Sequence, residues 1–137
     1  MTEFVFKTEP GEYSFADLQA KGSGVWDGVR NPVALRNMRG MKEGDRVFVY
    51  HTGSEKAVVG IAKAASAAYP DPKAPAGSPL VVIDLAPLAA LKHPVTLAAL
   101  KADAEFAESP LVRQGRLSVV PLTARQAALI EKRGGGK

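Results

Sequence analysis

RVFVYHTGSEKAVVGIAKAASAAY, residues 46–69, is the stretch from which the rest of the fold is read. From Arg46 to Thr52 the chain is apolar and β-branched or aromatic at most positions. Extended, it sets Val47, Val49 and His51 on one side and Phe48, Tyr50 and Thr52 on the other. Gly53-Ser54 supplies turn residues, and residues 57–69 run on as a second, longer strand. Two strands joined by a short polar loop predict a hairpin. The hairpin makes the domain a sheet protein.

Upstream, EFVFK (residues 3–7) alternates around Phe4 and Phe6 and predicts a short opening strand. Ser14, with Asp17 three residues on, starts a helix that Gly22 stops. Residues 22–31 hold Gly22, Gly24 and Gly28 and read as a loop. Asn31-Pro32 places a capping residue ahead of proline at the first helical position, so a helix is expected over 32–39. Downstream, the four prolines of PDPKAPAGSP (70–79) make a surface loop, and LVVIDLAPL (80–88) a third strand. Thr96 caps a helix to about Ala102, a second short helix is expected around 104–113, and LSVVPL (117–122) is the last strand. Thr123 caps a C-terminal helix, and the glycines at 134–136 read as a frayed tail. The pattern is α+β: a small, mainly antiparallel sheet or β-barrel flanked by short helices. One domain over residues 1–133 is expected, with a flexible glycine-rich tail at 134–137.

A chain of 137 residues, 46% hydrophobic and 23% charged, is large enough for one core and too apolar for wholesale disorder. No apolar run approaches the roughly 18 residues of a membrane span, and MTEFVFKTEP has no secretory pattern. There are no cysteines, so no disulfide framework and no thiolate chemistry; a reducing, cytoplasmic setting is expected. The net charge of +4 is modest but uneven. Arg30, Arg36, Arg39, Lys42 and Arg46 crowd one segment, and Arg113, Arg116, Arg125, Lys132, Arg133 and Lys137 another. Each reads either as a face for phosphates or as a solvated helix surface.

Enzyme motifs are scarce. There is no GxSxG elbow, no GxxxxGK[ST] loop, no HExxH helix and no glycine-rich βαβ unit. The two histidines, His51 and His93, are far apart and give no metal-ligand spacing. No metal or cofactor is expected. Lys7-Thr8-Glu9 offers an amine, a hydroxyl and a carboxylate at a strand end, groups that could serve a hydrolase or merely enter a turn. The single tryptophan, Trp26, stands beside Asp27-Gly28 and close to Arg30 and Asn31. Its ring could stack on a nucleobase while Asn31 meets a base edge, or it could plug the end of the barrel. Physics alone leaves both open.

The chain resembles the EVE domain, a branch of the PUA-like superfamily related to YTH and ASCH domains. The resemblance rests on FKTEPGEYSFADL (6–18), VWDGVRNPVALRNMRGMKEGD (25–45), VYHTG (49–53), VVGIAKAASAAYPDP (58–72), HPVTLAALK (93–101) and LVRQGRLSVVPLT (111–123). It implies a compact β-barrel flanked by helices. It also implies a non-enzymatic reader of a modified base in a DNA or RNA partner, such as methylated or hydroxymethylated cytosine, flipped into an aromatic pocket of the protein. On that resemblance Trp26 is a stacking wall and Asn31 a base-edge contact, with Lys7, Tyr50, His51, Thr52 and Ser118 lining the same pocket. Arg30, Arg36, Arg39, Arg113 and Arg116 would hold phosphates. The chain departs from the family at Thr52, where many members have serine, and it has no aromatic residue between Tyr69 and Phe106. Two other readings stay open: a small hydrolase of modified nucleosides using Lys7, Thr8, Glu9 and His51, and a protein-interaction domain with basic faces.

Overall fold

The structure, a computed structural model, describes residues 3–114 and 117–135. The strands are β1 (Glu3–Thr8), β2 (Gly24–Trp26), β3 (Arg46–His51), β4 (Ala57–Ala64), β5 (Tyr69–Pro70), β6 (Val81–Thr96) and β7 (Val119–Leu122). The helices are α1 (Phe15–Lys21), α2 (Pro32–Arg39), α3 (Leu97–Lys101), α4 (Pro110–Arg113) and α5 (Ala124–Arg133). The strands form a curled half-barrel in the order β2-β6-β4-β3-β1-β7, with β5 added on β6. The α+β reading holds, and so does the β3–β4 hairpin, whose strands pair from Arg46↔Lys63 to His51↔Ala57.

Local signals placed the helices well. Ser14 and Asp17 exchange hydrogen bonds in a capping box, and Gly22 ends α1 in the left-handed region at φ 78°. Asn31 Oδ1 accepts from the N–H groups of Val33 and Ala34, with Pro32 opening α2 as expected. Thr123 and Gln126 build a second capping box on α5.

The sheet differs from the sequence reading in four ways. Residues 24–26, expected in a loop, form β2 and pair with Leu85, Asp84 and Ile83 of β6. The strand expected over 57–69 ends at Ala64, where Ala64 and Ala65 turn their N–H groups to Asp45 and Asp84 carbonyls. The third strand runs on to Thr96, past Pro87, because Pro87 lies beyond the segment that β2 pairs with. A bulge sets residues 91–94 opposite Val59 alone, so His93 sits in that strand's bulge rather than in a separate loop. Finally, β1 and β3 run parallel, joined by a crossover through α1, β2 and α2. The expected helix at 104–113 divides into a 3-10 turn at Ala104–Phe106 and α4. Gly134, assigned to the frayed tail, is buried against Leu91, and its carbonyl accepts from His93 N–H at 3.1 Å.

β3 is buried on both faces from Val47 to His51, because the curled sheet and its helices cover it on each side. The core joins Phe6, Phe48, Leu18, Met38, Ile83, Leu100 and Phe106, all with almost no exposed surface. Two contacts fasten α1 to the hairpin. Phe15 N–H donates to His51 Nε2 at 3.0 Å, which leaves the ring proton on Nδ1, donating to Glu55 Oε1 at 2.7 Å. The Phe15 ring lies flat on Gly60, so close that a Cβ there would fall 2.4 Å from it. His51, which the resemblance assigned to the ligand pocket, is thus buried and spent on this fastening.

His51→Ala leaves the buried Phe15 N–H unsatisfied, and urea unfolding is expected to show a loss of about 1–3 kcal/mol; a change below about 0.5 kcal/mol would discard the fastening role. Gly60→Ala forces the Phe15 ring aside and is expected to cost about 1–3 kcal/mol. In the double variant Gly60→Ala/Phe15→Leu the two costs should be markedly less than additive; strict additivity would mean that the two residues do not press on each other.

Candidate functional site

β1 ends at Thr8 one strand in from the β7 edge of the half-barrel, between β3 and β7. The chain then turns through residues 9–13 into α1 and returns as β2. Between the strand end, this turn and the 27–30 loop lies a cleft of about 560 Å³. Gly28, at φ 79°, provides the sharp bend that turns the chain from β2 toward α2.

Trp26 forms one wall. It is a core residue, 7% exposed, and its indole packs against Phe6 (centroids 5.5 Å apart) and Tyr13 (5.9 Å, planes at 80°). The indole is therefore on a strand, not in a polar loop, and only a strip of it meets the cleft. Trp26 both closes the core and lines the cavity.

Tyr13 is the second wall, and sequence reasoning passed over it. Its hydroxyl is buried over Gly24 with no hydrogen-bond partner among the described residues, and the Lys21 ammonium lies 5.5 Å from its ring centroid. Burial, together with the carboxylates of Asp17 and Asp27, pushes its phenol pKa up. The signal that would have found it is the one that drew attention to Trp26: an aromatic residue in a polar turn just outside a regular element.

Lys7 reaches the cleft from β1, half-buried, with its ammonium 5.5 Å from the Tyr50 ring centroid. Burial holds its pKa below the usual lysine value. Lys7 N–H donates to the Ser118 carbonyl at 2.9 Å, which brings Ser118 to the same cleft. Thr8 also lines the cleft, but its hydroxyl donates to the Tyr13 carbonyl at 2.7 Å. Glu9 Oε1 accepts from Gly11 N–H and Oε2 from Thr52 Oγ1. Across the lining, Lys7, Lys21 and Arg30 face Glu9, Glu12 and Asp27, so the cleft is balanced in formal charge.

Of the residues expected at the site, the structure brings Lys7, Trp26, Ser118 and Arg30 to this cleft. Tyr50 and Thr52 line a different cavity that shares Lys7. Asn31 is the cap of α2, its carbonyl oxygen already accepting two backbone bonds, and is not among the lining residues. Arg36 and Arg39 are exposed on α2, Arg39 donating to the Pro79 carbonyl. Arg113 pairs with Glu108 at 3.1 Å. Arg116 lies outside the described residues. The basic segments are less basic in space than in sequence. Arg46 is held by Glu3 and Glu131, Arg125 by Glu105 and Arg133 by Asp103. No helix among the described residues is long and apolar enough to cross a membrane.

Comparison with known proteins places this architecture. A solved structure of a protein from Rhodopseudomonas palustris is 42% identical, covers 98% of this chain and 94% of its own, and superposes with a TM-score of 0.92. Rat thymocyte nuclear protein 1 is 43% identical over 63 residues, which is 44% of this chain but only 28% of the rat protein. The structure of human thymocyte nuclear protein 1 in complex with 5-methylcytosine-containing DNA is 24% identical, covers 100% of this chain and 99% of its own, and shares the PUA-like fold with a TM-score of 0.89. The EVE domain family model matches residues 2–133, nearly the whole sequence. The chain belongs to the EVE domain family.

Proposed function

We propose that the protein is a non-enzymatic reader of a modified base in DNA or RNA, holding the base in the cleft that Trp26 and Tyr13 line. The observation that carries this reading is the pairing of two rings, set nearly perpendicular, at the wall of a charge-balanced cavity. A nucleobase is a flat ring with polar edges and no net charge. Rings offer it stacking and edge contacts, while a cavity of balanced charge holds no surplus for a phosphate. A volume of about 560 Å³ lies within the ordinary range of small-ligand sites, with room for a base swung out of its strand. The complex of the human relative with methylcytosine DNA supports the same ligand class.

The hydrolase reading asks Lys7, Thr8, Glu9 and His51 to converge. Thr8 donates to a backbone carbonyl and His51 is tied to Phe15 and Glu55, so neither is held ready for covalent chemistry in the cleft. The interaction-domain reading relied on two strongly basic faces, and four of their arginines are paired with carboxylates.

Trp26 is the only tryptophan, so its fluorescence reports directly on the cleft. Titration with short oligonucleotides bearing methylcytosine, hydroxymethylcytosine, methyladenine or unmodified bases is expected to show preference for one modified base. Burial of one methyl group supports about a fourfold preference. Equal quenching by all of them, lost as salt rises, would defeat the reading. Because Trp26 is part of the core, Tyr13 is the better position to alter. Tyr13→Phe removes an unsatisfied buried hydroxyl, so it should stabilise the free protein by up to about 1 kcal/mol and leave selectivity intact. Tyr13→Ala removes the wall and should weaken binding of the preferred base by about 1–3 kcal/mol; unchanged binding in Tyr13→Ala would place the base elsewhere.

A further inference from the structure

A second cavity of about 270 Å³ lies on the other side of Lys7. Its floor is apolar, formed by Leu97 of α3 and by Leu111 and Val112 of α4. Its polar groups are Lys7, Lys56 and Lys101, with Tyr50 and Thr52, and no carboxylate lines it. Neither Lys56 nor Lys101 is in any of the ion pairs formed among the described residues, and both are exposed. The contrast with the main cleft is one of charge. There, three cations meet three anions; here, Lys56 and Lys101 stand at a small cavity whose lining holds no carboxylate, with Glu9 of the main cleft accepting from the Thr52 hydroxyl at its edge.

Lys56 is also held in an unusual conformation. At φ 46° it is the one non-glycine position among the described residues in the left-handed region, and Leu97 N–H donates to its carbonyl at 2.8 Å. A residue with no Cβ would take that turn more easily. Lysine there sets an ammonium-bearing side chain at the mouth of the cavity at some backbone cost.

We propose that this second cavity is a phosphodiester subsite, which takes the backbone of the same strand whose base occupies the main cleft. Lys56 and Lys101 meet the phosphate, and the apolar floor lies under the adjoining sugar. Lys7, shared by both cavities, stands at the junction of base and backbone. This division of labour rests on the base-reading proposal: a neutral ring goes to the balanced cleft and the anion to the cationic one. It also moves the phosphate contacts away from the arginines of α2 and α4 that the sequence pointed to.

The test uses the full chain and a fluorescently labelled single-stranded tetramer of abasic deoxyribose phosphates, which carries the backbone and no base. Binding by anisotropy is compared for wild type, Lys56→Gln/Lys101→Gln and a control with the same charge change, Lys63→Gln/Lys132→Gln, at exposed positions outside the cavity. For single strands, each lost phosphate contact reduces the slope of log K against log salt by roughly 0.7, so the double variant is expected to reduce it by about 1.4 and the control by much less. On base-bearing strands the variant should weaken modified and unmodified forms equally, leaving their ratio unchanged. Failure of wild type to bind the abasic strand, or an equal loss in the control, overturns the subsite. Amide shifts at Lys56 and Lys101 that saturate with inorganic phosphate as readily as with the abasic strand would make it a small-anion site instead, and overturn it too. Loss of abasic binding in the variant, with no preference among bases in wild type, would sustain the subsite while defeating the base-reading proposal.

Discussion

The attachment of α1 to the β3–β4 hairpin governs the rest of the structure. A histidine accepting a backbone N–H and an aromatic ring laid on a glycine fix where α1 begins. That point decides where the preceding turn runs, and so where Tyr13 stands against Trp26. Both contacts are made by Phe15, two residues beyond Tyr13 of the cleft wall, on buried atoms. A buried N–H has no alternative partner, and a ring seated on a glycine cannot be moved without finding new volume, so the helix start is sharply defined. The cleft inherits that definition.

Much of this was legible in the sequence because its rules are local. Caps at Ser14, Asn31 and Thr123 name helix starts through one side chain and the next few N–H groups. The hairpin follows from alternation and a turn. The misses share a cause, which is that strand identity is set by a partner. GVW is too short to signal a strand and becomes one only because β6 offers its edge. The strand expected to end at Leu88 continues to Thr96 because β4 goes on pairing with it as far as Ala57↔Thr96. The parallel pairing of β1 with β3 depends on a crossover of more than thirty residues, which no window of sequence contains.

The site was legible in part, for a related reason. Of the residues that the resemblance implied for the pocket, Trp26, Lys7 and Ser118 line one cavity, and Arg30, expected at phosphates, lies there too. His51 and Asn31 do not, because their polar atoms are consumed by a buried backbone group and a helix end. A polar side chain near a functional motif is available to a ligand only if the fold does not need it first. Charge follows the same rule. Arg46, Arg113, Arg125 and Arg133 of the two basic segments are paired with carboxylates in space, whereas Lys7, Lys56 and Lys101, scattered through the sequence, line one cavity.

The burial of Trp26 has a consequence for how such a domain diversifies. Its indole belongs to the hydrophobic core and to the cavity wall at once, in contact with Phe6 on one side and open to the cavity along a strip. Exchange of that ring would disturb folding before it could retune recognition. Heritable change in what the cavity accepts is therefore channelled to the rim, where Val25, Glu12, Asp27 and Arg30 are exposed and carry little of the fold. The wall is conservative by mechanics, and the doorway is where specificity can drift.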